Sequence, residues 1–181
     1  MINKNDLNDY FISGIKHKKN LKIGVEHEKF ILDKDTLLPR NYDEINGIKD
    51  ILEKLSTVGW VPAYDDNQKT IVALTKDRES ITLEPGGQIE LSGAPLDNIH
   101  ETCEETTNHL RELKKLGEEF NFILLGMGVE PNLTLVDFPW MPKQRYKIMK
   151  EYMKRVGTRG QHMMKRTCTS QVNLDFFSEE D

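Results

Sequence analysis

The sequence predicts an α+β fold built on a largely antiparallel sheet with flanking helices. Three observations predict it. Segments with helical spacing and segments with strand alternation are interleaved, without the regular strand–helix–strand rhythm of a parallel sheet. Three stretches, 22–32, 81–92 and 167–176, carry β-favouring residues, and the latter two alternate apolar and polar residues cleanly, as strands with one buried face do. The polar turn Lys76-Asp-Arg-Glu79 joins two strand segments directly, as a hairpin does.

Taken in order, Leu7, Tyr10, Phe11 and Ile15 fall at helical spacing in a first helix over 6–17, with Asp6 as its cap. A strand follows over 22–32. Ile45, Ile48, Leu52 and Leu55 mark a second helix, stopped by Gly59. Strands are expected at 70–75 and 81–92. A long helix over 96–120 carries Leu96, Ile99, Cys103, Thr106, Leu110 and Leu113 in alternating steps of three and four, which predicts a buried stripe that includes the Cys103 thiol. The apolar run 121–129 predicts a buried strand. Pro142 suits the first turn of a helix carrying Tyr146, Met149, Tyr152 and Met153 and ending at Gly157. Segment 167–176 is the last strand. Ser178-Glu-Glu-Asp181 has the form of a cap with an acidic residue three positions later, the pattern of a helix about to start.

Composition narrows the function classes. The 181 residues are 37% hydrophobic and 30% charged, the balance of one soluble globular domain rather than of a disordered tail. Two cysteines are too few for a disulfide scaffold and match no zinc spacing. A net charge of -5 argues against general nucleic-acid binding. No run approaches the roughly 18 apolar residues of a membrane helix, and the first residues lack the apolar core of a signal peptide. The expectation is a cytoplasmic protein with no nucleic-acid or membrane partner.

The carboxylates carry the chemistry. Side chains alternate across a strand, so Glu26 and Glu28 share a face, roughly 7 Å apart along the chain. In 81–92 the odd positions Ile81, Leu83, Ile89 and Leu91 are apolar, and the even face holds Glu84 and Glu90 with Gly86-Gly87 between them. In 167–176 the odd face holds Thr167, Thr169, Gln171, Asn173 and Asp175. Solvent faces of antiparallel sheets alternate in the same way. These four glutamates, however, share their faces with almost no basic residue, a pattern that suits a divalent cation. Magnesium takes one or two carboxylates together with phosphate oxygens and water. His27 points to the opposite face of a regular strand.

Four blocks then identify a relative. Gly24-Val-Glu-His-Glu-Lys-Phe30, Ile81-Thr-Leu-Glu-Pro-Gly-Gly-Gln-Ile-Glu-Leu-Ser-Gly-Ala-Pro95, Met141-Pro-Lys-Gln-Arg-Tyr-Lys-Ile-Met149 and Arg166-Thr-Cys-Thr-Ser-Gln-Val-Asn-Leu-Asp-Phe176 closely resemble the plant and proteobacterial type of glutamate–cysteine ligase, in the family's order and over nearly the whole chain from residue 21. The resemblance implies a glutamine-synthetase-like fold, a sheet funnel lined by metal-binding acids. It also implies ATP- and Mg2+-dependent joining of the glutamate γ-carboxylate to the cysteine amine through a γ-glutamyl phosphate, the first step of glutathione biosynthesis. Carried over by position, Glu26, Glu28, Glu84 and Glu90 are the metal acids, and Gln171 and Asn173 contact substrate, nucleotide or metal. Arg145 and Arg166 hold a substrate carboxylate or transferred phosphoryl charge, since guanidinium matches both. Family members are more than twice this length, so the resemblance makes residues 1–181 the N-terminal part of a single catalytic domain, incomplete and inactive alone. Two alternatives stay open: a non-catalytic metal- or amino-acid-binding module, and a γ-glutamyl ligase using another amine.

Overall fold

The computed structural model describes residues 2–65 and 69–181. Its elements run α1 (Lys4–Ser13), β1 (Ile23–Asp33), α2 (Ile48–Ser56), β2 (Val61–Tyr64), β3 (Ile71–Lys76), β4 (Glu79–Leu83), β5 (Ile89–Ser92), α3 (Ile99–Phe120), β6 (Phe122–Leu125), α4 (Gln144–Val156), α5 (Gly160–Arg166) and β7 (Ser170–Leu174). The α+β class with an antiparallel sheet is therefore as predicted.

β1 is the spine of that sheet. The strand order is β2-β3-β4-β5-β1-β6, and β7 also pairs with β1. Backbone direction explains how one strand holds three partners. Odd residues of β1 turn toward β5: the Gly93 N–H donates to Val25 O, and further along the Arg40 N–H donates to Ile31 O. Even residues turn the other way: the Glu28 N–H donates to Thr169 O beside β7, and the Lys34 N–H to Asn121 O beside β6. β7 and β6 thus occupy successive halves of one edge of β1.

Alternation decides which face is buried. Leu74, Ile81, Leu83, Ile89 and Leu91 join Ile48, Ile51, Leu52 and Leu55 of α2 and Leu113 and Leu116 of α3 in the main core. A smaller cluster of Phe30, Leu32, Phe138 and Cys168 forms beside the second half of β1. Even positions of β1 therefore run Glu26, Glu28, Phe30, Leu32, so its polar face ends where Phe138 and Cys168 cover the strand.

Several elements differ from expectation. α1 is capped by Asn3, whose side chain accepts the Asn5 and Asp6 N–H groups, while the Asp6 carboxylate accepts the Asn3 N–H; Asp6 is thus the reciprocal partner in a capping box rather than the cap. β2 was not expected, since Pro62 interrupts its pattern. It sits at the sheet edge, where a missing N–H costs no ladder bond. α5, seven residues long, also had no sequence signal. The predicted strand over 121–129 shortens to β6, with Met127 and Val129 exposed. On α3 the buried set is Thr102, His109, Leu113, Leu116 and Gly117, whereas Ile99, Leu110 and Cys103 are exposed. Cys103 is a surface thiol. After β7, Ser178 Oγ accepts the Glu180 N–H and the Asp181 carboxylate accepts the Phe177 N–H, closing a turn.

Candidate active site

The segment read as one strand over 81–92 is a hairpin. β4 and β5 pair with Thr82 opposite Glu90 and Leu83 opposite Ile89, and the loop between them closes with the Gly87 N–H donating to Glu84 O and the Glu84 N–H to Gln88 O. Gly87 has φ +89°, a conformation that favours glycine. A Cβ on Gly86 would lie 2.6 Å from the Lys165 carbonyl oxygen, a backbone atom with little room to move. Gly86→Ala is therefore expected to destabilise the protein by about 2–3 kcal/mol, read as a shift in urea midpoint at constant slope. An unchanged midpoint would show that the hairpin yields without loss.

Register brings the acids together. Glu28 of β1 stands directly opposite Glu90 of β5, and Glu26 opposite Ser92. On the other side of β1, Gln171 of β7 is opposite Glu26, and Asn173 is opposite Gly24. The four predicted glutamates and both predicted amides thus share one face of the sheet. Each acid has a distinct setting. One oxygen of Glu26 accepts the side-chain amides of Gln171 at 3.0 Å and Asn173 at 2.9 Å. Glu28 accepts the Thr169 N–H at 3.0 Å and the Thr169 hydroxyl at 2.8 Å on separate oxygens. Glu90 accepts the hydroxyls of Thr82 at 3.0 Å and Ser92 at 2.9 Å, again on separate oxygens.

Glu84 stands in the electrostatically worst position. Burial first, then the neighbouring charges of Glu90 and Glu28, push its carboxyl up to about 7, against the opposing pull of Arg145 and Lys143. A guanidinium nitrogen of Arg145 lies 4.0 Å from Glu84. Lys143 donates its ammonium to the Leu83 carbonyl at 2.9 Å, and Tyr146, buried at the start of α4, donates its hydroxyl to the same oxygen at 2.5 Å. Burial, then the charge of Arg145, brings the Lys143 ammonium down to about 8. A cavity of ≈ 450 Å³ is lined by Thr82, Glu84 and Glu90 from the sheet, by Lys143 and Arg145 from the entry to α4, and by Asp65.

Arg166 does not join them. Its guanidinium donates to the Glu130 carbonyl at 2.6 Å and meets His162 Nδ1 at 3.3 Å, tying the end of α5 to the loop after β6. Among the described residues Arg166 does not line the cavity that Lys143 and Arg145 border. His27 lies on the far face, as its parity predicts. Sequence reasoning missed Lys143, Thr82 and Thr169. Lys143 lies in a block singled out for Arg145, but its burial depends on a carbonyl 60 residues away in sequence.

Metal binding fits this donor set in a limited way. Among the described residues no three carboxylate, histidine or cysteine side chains converge to hold an ion. The opposed pair Glu28 and Glu90 supplies all-oxygen, anionic donors, and two carboxylates are what Mg2+ usually takes from protein. The pair suits Mg2+ completed by substrate oxygens rather than a closed protein cage.

Comparison with known proteins bears on the same residues. The family model described as glutamate-cysteine ligase family 2 (GCS2) matches residues 22–180. The chain is 49% identical over 181 residues to glutamate–cysteine ligase B, chloroplastic, of Oryza sativa subsp. japonica, covering 99% of this chain and 36% of that protein. It is 46% identical over 184 residues to the chloroplastic glutamate–cysteine ligase of Arabidopsis thaliana, covering 99% and 34%, and 46% identical over 181 residues to that of Medicago truncatula, covering 99% and 35%. The chain spans about a third of the length of the curated relatives it matches. Their names overturn the cytoplasmic expectation, which rested on composition, cysteine count and the lack of a membrane run or apolar leader: these relatives are chloroplastic. No helix among the described residues is long and apolar enough to cross a membrane.

Proposed function

The chain belongs to glutamate-cysteine ligase family 2, and from that premise we propose that it is the N-terminal part of a single catalytic domain, of glutamine-synthetase-like fold, that joins the γ-carboxylate of glutamate to the amine of cysteine with ATP, the first step of glutathione biosynthesis. The observation that carries the reading is one cavity lined by both the carboxylates Glu84 and Glu90 and the cations Lys143 and Arg145.

The chemistry needs both charges. A carboxylate is a poor acyl donor. Its oxygen therefore attacks the γ-phosphorus of ATP, ADP leaves, and a γ-glutamyl phosphate forms. The cysteine amine then attacks the acyl carbon, phosphate leaves with the bonding pair, and the amine proton is lost to solvent. Lys143 and Arg145 supply the positive charges against which a phosphate or substrate carboxylate docks. Glu28 and Glu90, flanked by Glu26 and Glu84, would hold Mg2+, which when bound neutralises phosphate charge and aligns the reacting oxygens. Gln171 and Asn173 hold the Glu26 carboxylate in place and lie where a substrate or nucleotide oxygen would reach the same face.

The test is phosphate release that requires ATP, glutamate and cysteine together, measured on the 181-residue chain and on the same sequence joined to the remaining two-thirds of a plant relative. Turnover is expected only in the joined protein. A folded, inactive joined protein would favour a binding module without catalysis. Equal turnover with other amines in place of cysteine would favour a broader γ-glutamyl ligase.

A further inference from the structure

Glu28 and Glu90 are like charges placed directly opposite on adjoining strands, an arrangement that costs stability. The fold keeps it, and hydrogen bonds account for how. Each of the four carboxylate oxygens in the pair accepts one hydrogen bond: from the Thr169 N–H and hydroxyl on Glu28, and from the Thr82 and Ser92 hydroxyls on Glu90. An ionised carboxylate offers about four acceptor positions over its two oxygens. One bond per oxygen stabilises and orients the anion, yet leaves the second lone pair of every oxygen unused. Glu90 is held from two strands, by Thr82 of β4 and Ser92 of β5, and Glu28 by both donors of Thr169 at the entry to β7, so neither carboxylate rotates without breaking bonds.

We infer that Thr82, Ser92 and Thr169 are positioning residues that preset Glu28 and Glu90 as an oriented pair for one divalent cation. This rests on the metal reading given under the proposed function. The hydroxyls touch no reacting atom; they act through the two glutamates, as hydrogen-bond partners behind metal ligands do. The donors bring no positive charge of their own, so the pair keeps its full negative charge for the cation.

The test uses Mn2+ as the probe, titrated in the presence of glutamate into the ligase-length joined protein described under the proposed function and followed by the loss of its free aqueous EPR signal, with the metal-free thermal midpoint measured alongside. Thr82→Val combined with Thr169→Val removes two hydroxyls at nearly constant shape and is expected to weaken Mn2+ binding by about 10- to 100-fold, with a lowered metal-free midpoint because the same bonds offset the like-charge cost. Thr169→Ser restores the hydroxyl and is expected to bind like the unmodified protein. If the double valine variant binds Mn2+ normally while Glu90→Gln does not, the positioning role is wrong and the metal pair stands. If the unmodified protein and Glu90→Gln bind alike, or neither binds, the metal reading falls and the positioning role with it. A lowered metal-free midpoint with unchanged Mn2+ affinity would make the hydroxyls structural only.

Discussion

Glu90→Gln, introduced into a ligase-length protein carrying this sequence, is expected to lower turnover by at least about 100-fold at sub-saturating Mg2+ while leaving the fold intact. The expectation follows from what Glu90 touches. It opposes Glu28 across the β1–β5 ladder and borders the cavity shared with Lys143 and Arg145. An amide at this position keeps the shape: its oxygen accepts one of the Thr82 and Ser92 hydroxyls and its NH2 donates to the other, while one charge of the pair is removed. Loss of a like-charge contact offsets any strain, so stability should change by less than about 1 kcal/mol. Raising Mg2+ should recover part of the activity, because the defect lies in metal affinity and not in the rest of the site.

A second readout separates charge from shape. Glu84 is held near 7 first by burial and next by the charge of Glu90. With Glu90 neutralised, the Glu84 carboxyl should titrate lower, though still above the ordinary range, since its burial remains. NMR titration of the Glu84 side chain measures this directly. Full Mg2+-dependent turnover in Glu90→Gln would remove Glu90 from the metal site. An unmoved Glu84 titration would show that the two carboxylates do not sense each other.

The acid face was legible in the sequence even where the strand was not. Segment 81–92 is broken by a turn at Gly86-Gly87, yet Glu84 and Glu90 still share a face. The reason is register: β4 and β5 pair residues whose numbers sum to an even value, such as Thr82 with Glu90, so even positions stay together across the hairpin. Alternation at 167–176 likewise placed Gln171 and Asn173 on one face, and the β1–β7 register brings that face to Glu26. Periodicity fared worse on α3. It marks which residues are apolar, not which of them find a partner, and the helix turns Thr102 and His109 inward while Ile99 and Leu110 face solvent. Lys143 and Arg166 show the same limit at the level of charge. Lys143 reaches the cavity lining with its ammonium against the Leu83 carbonyl, and Arg166 turns its guanidinium to the Glu130 carbonyl. Both outcomes depend on contacts distant in sequence, which local patterns do not encode.

His109 gives the second large expected effect, on stability against pH. This residue of α3 is 4% exposed, its Nδ1 has no hydrogen-bond partner among the described residues, and burial first, then the charges of Lys29 and His27 on β1, hold it down to about 4. The unfolded chain binds a proton there near 6.5. Between pH 6.5 and about 4 the unfolded state therefore carries the proton and the folded state does not, so stability rises with pH across this window. It is complete above 6.5 and is lost as pH falls, by on the order of 3 kcal/mol in all. Glu84 works in the opposite sense: its raised carboxyl favours the folded state at low pH, a contribution lost as pH rises toward 7. Glu79 and Glu105, raised chiefly by burial, act the same way. The net curve of the unmodified chain is flattened by this opposition, so the informative quantity is a difference. His109→Gln removes the titration and costs packing. Urea unfolding of both proteins from pH 7.5 to 4.5 should show the variant clearly less stable at pH 7.5, with the gap closing by about 2–3 kcal/mol at pH 4.5. Parallel curves would mean that His109 takes up its proton in the folded state as readily as in the unfolded chain, and that water or a side-chain shift reaches its Nδ1.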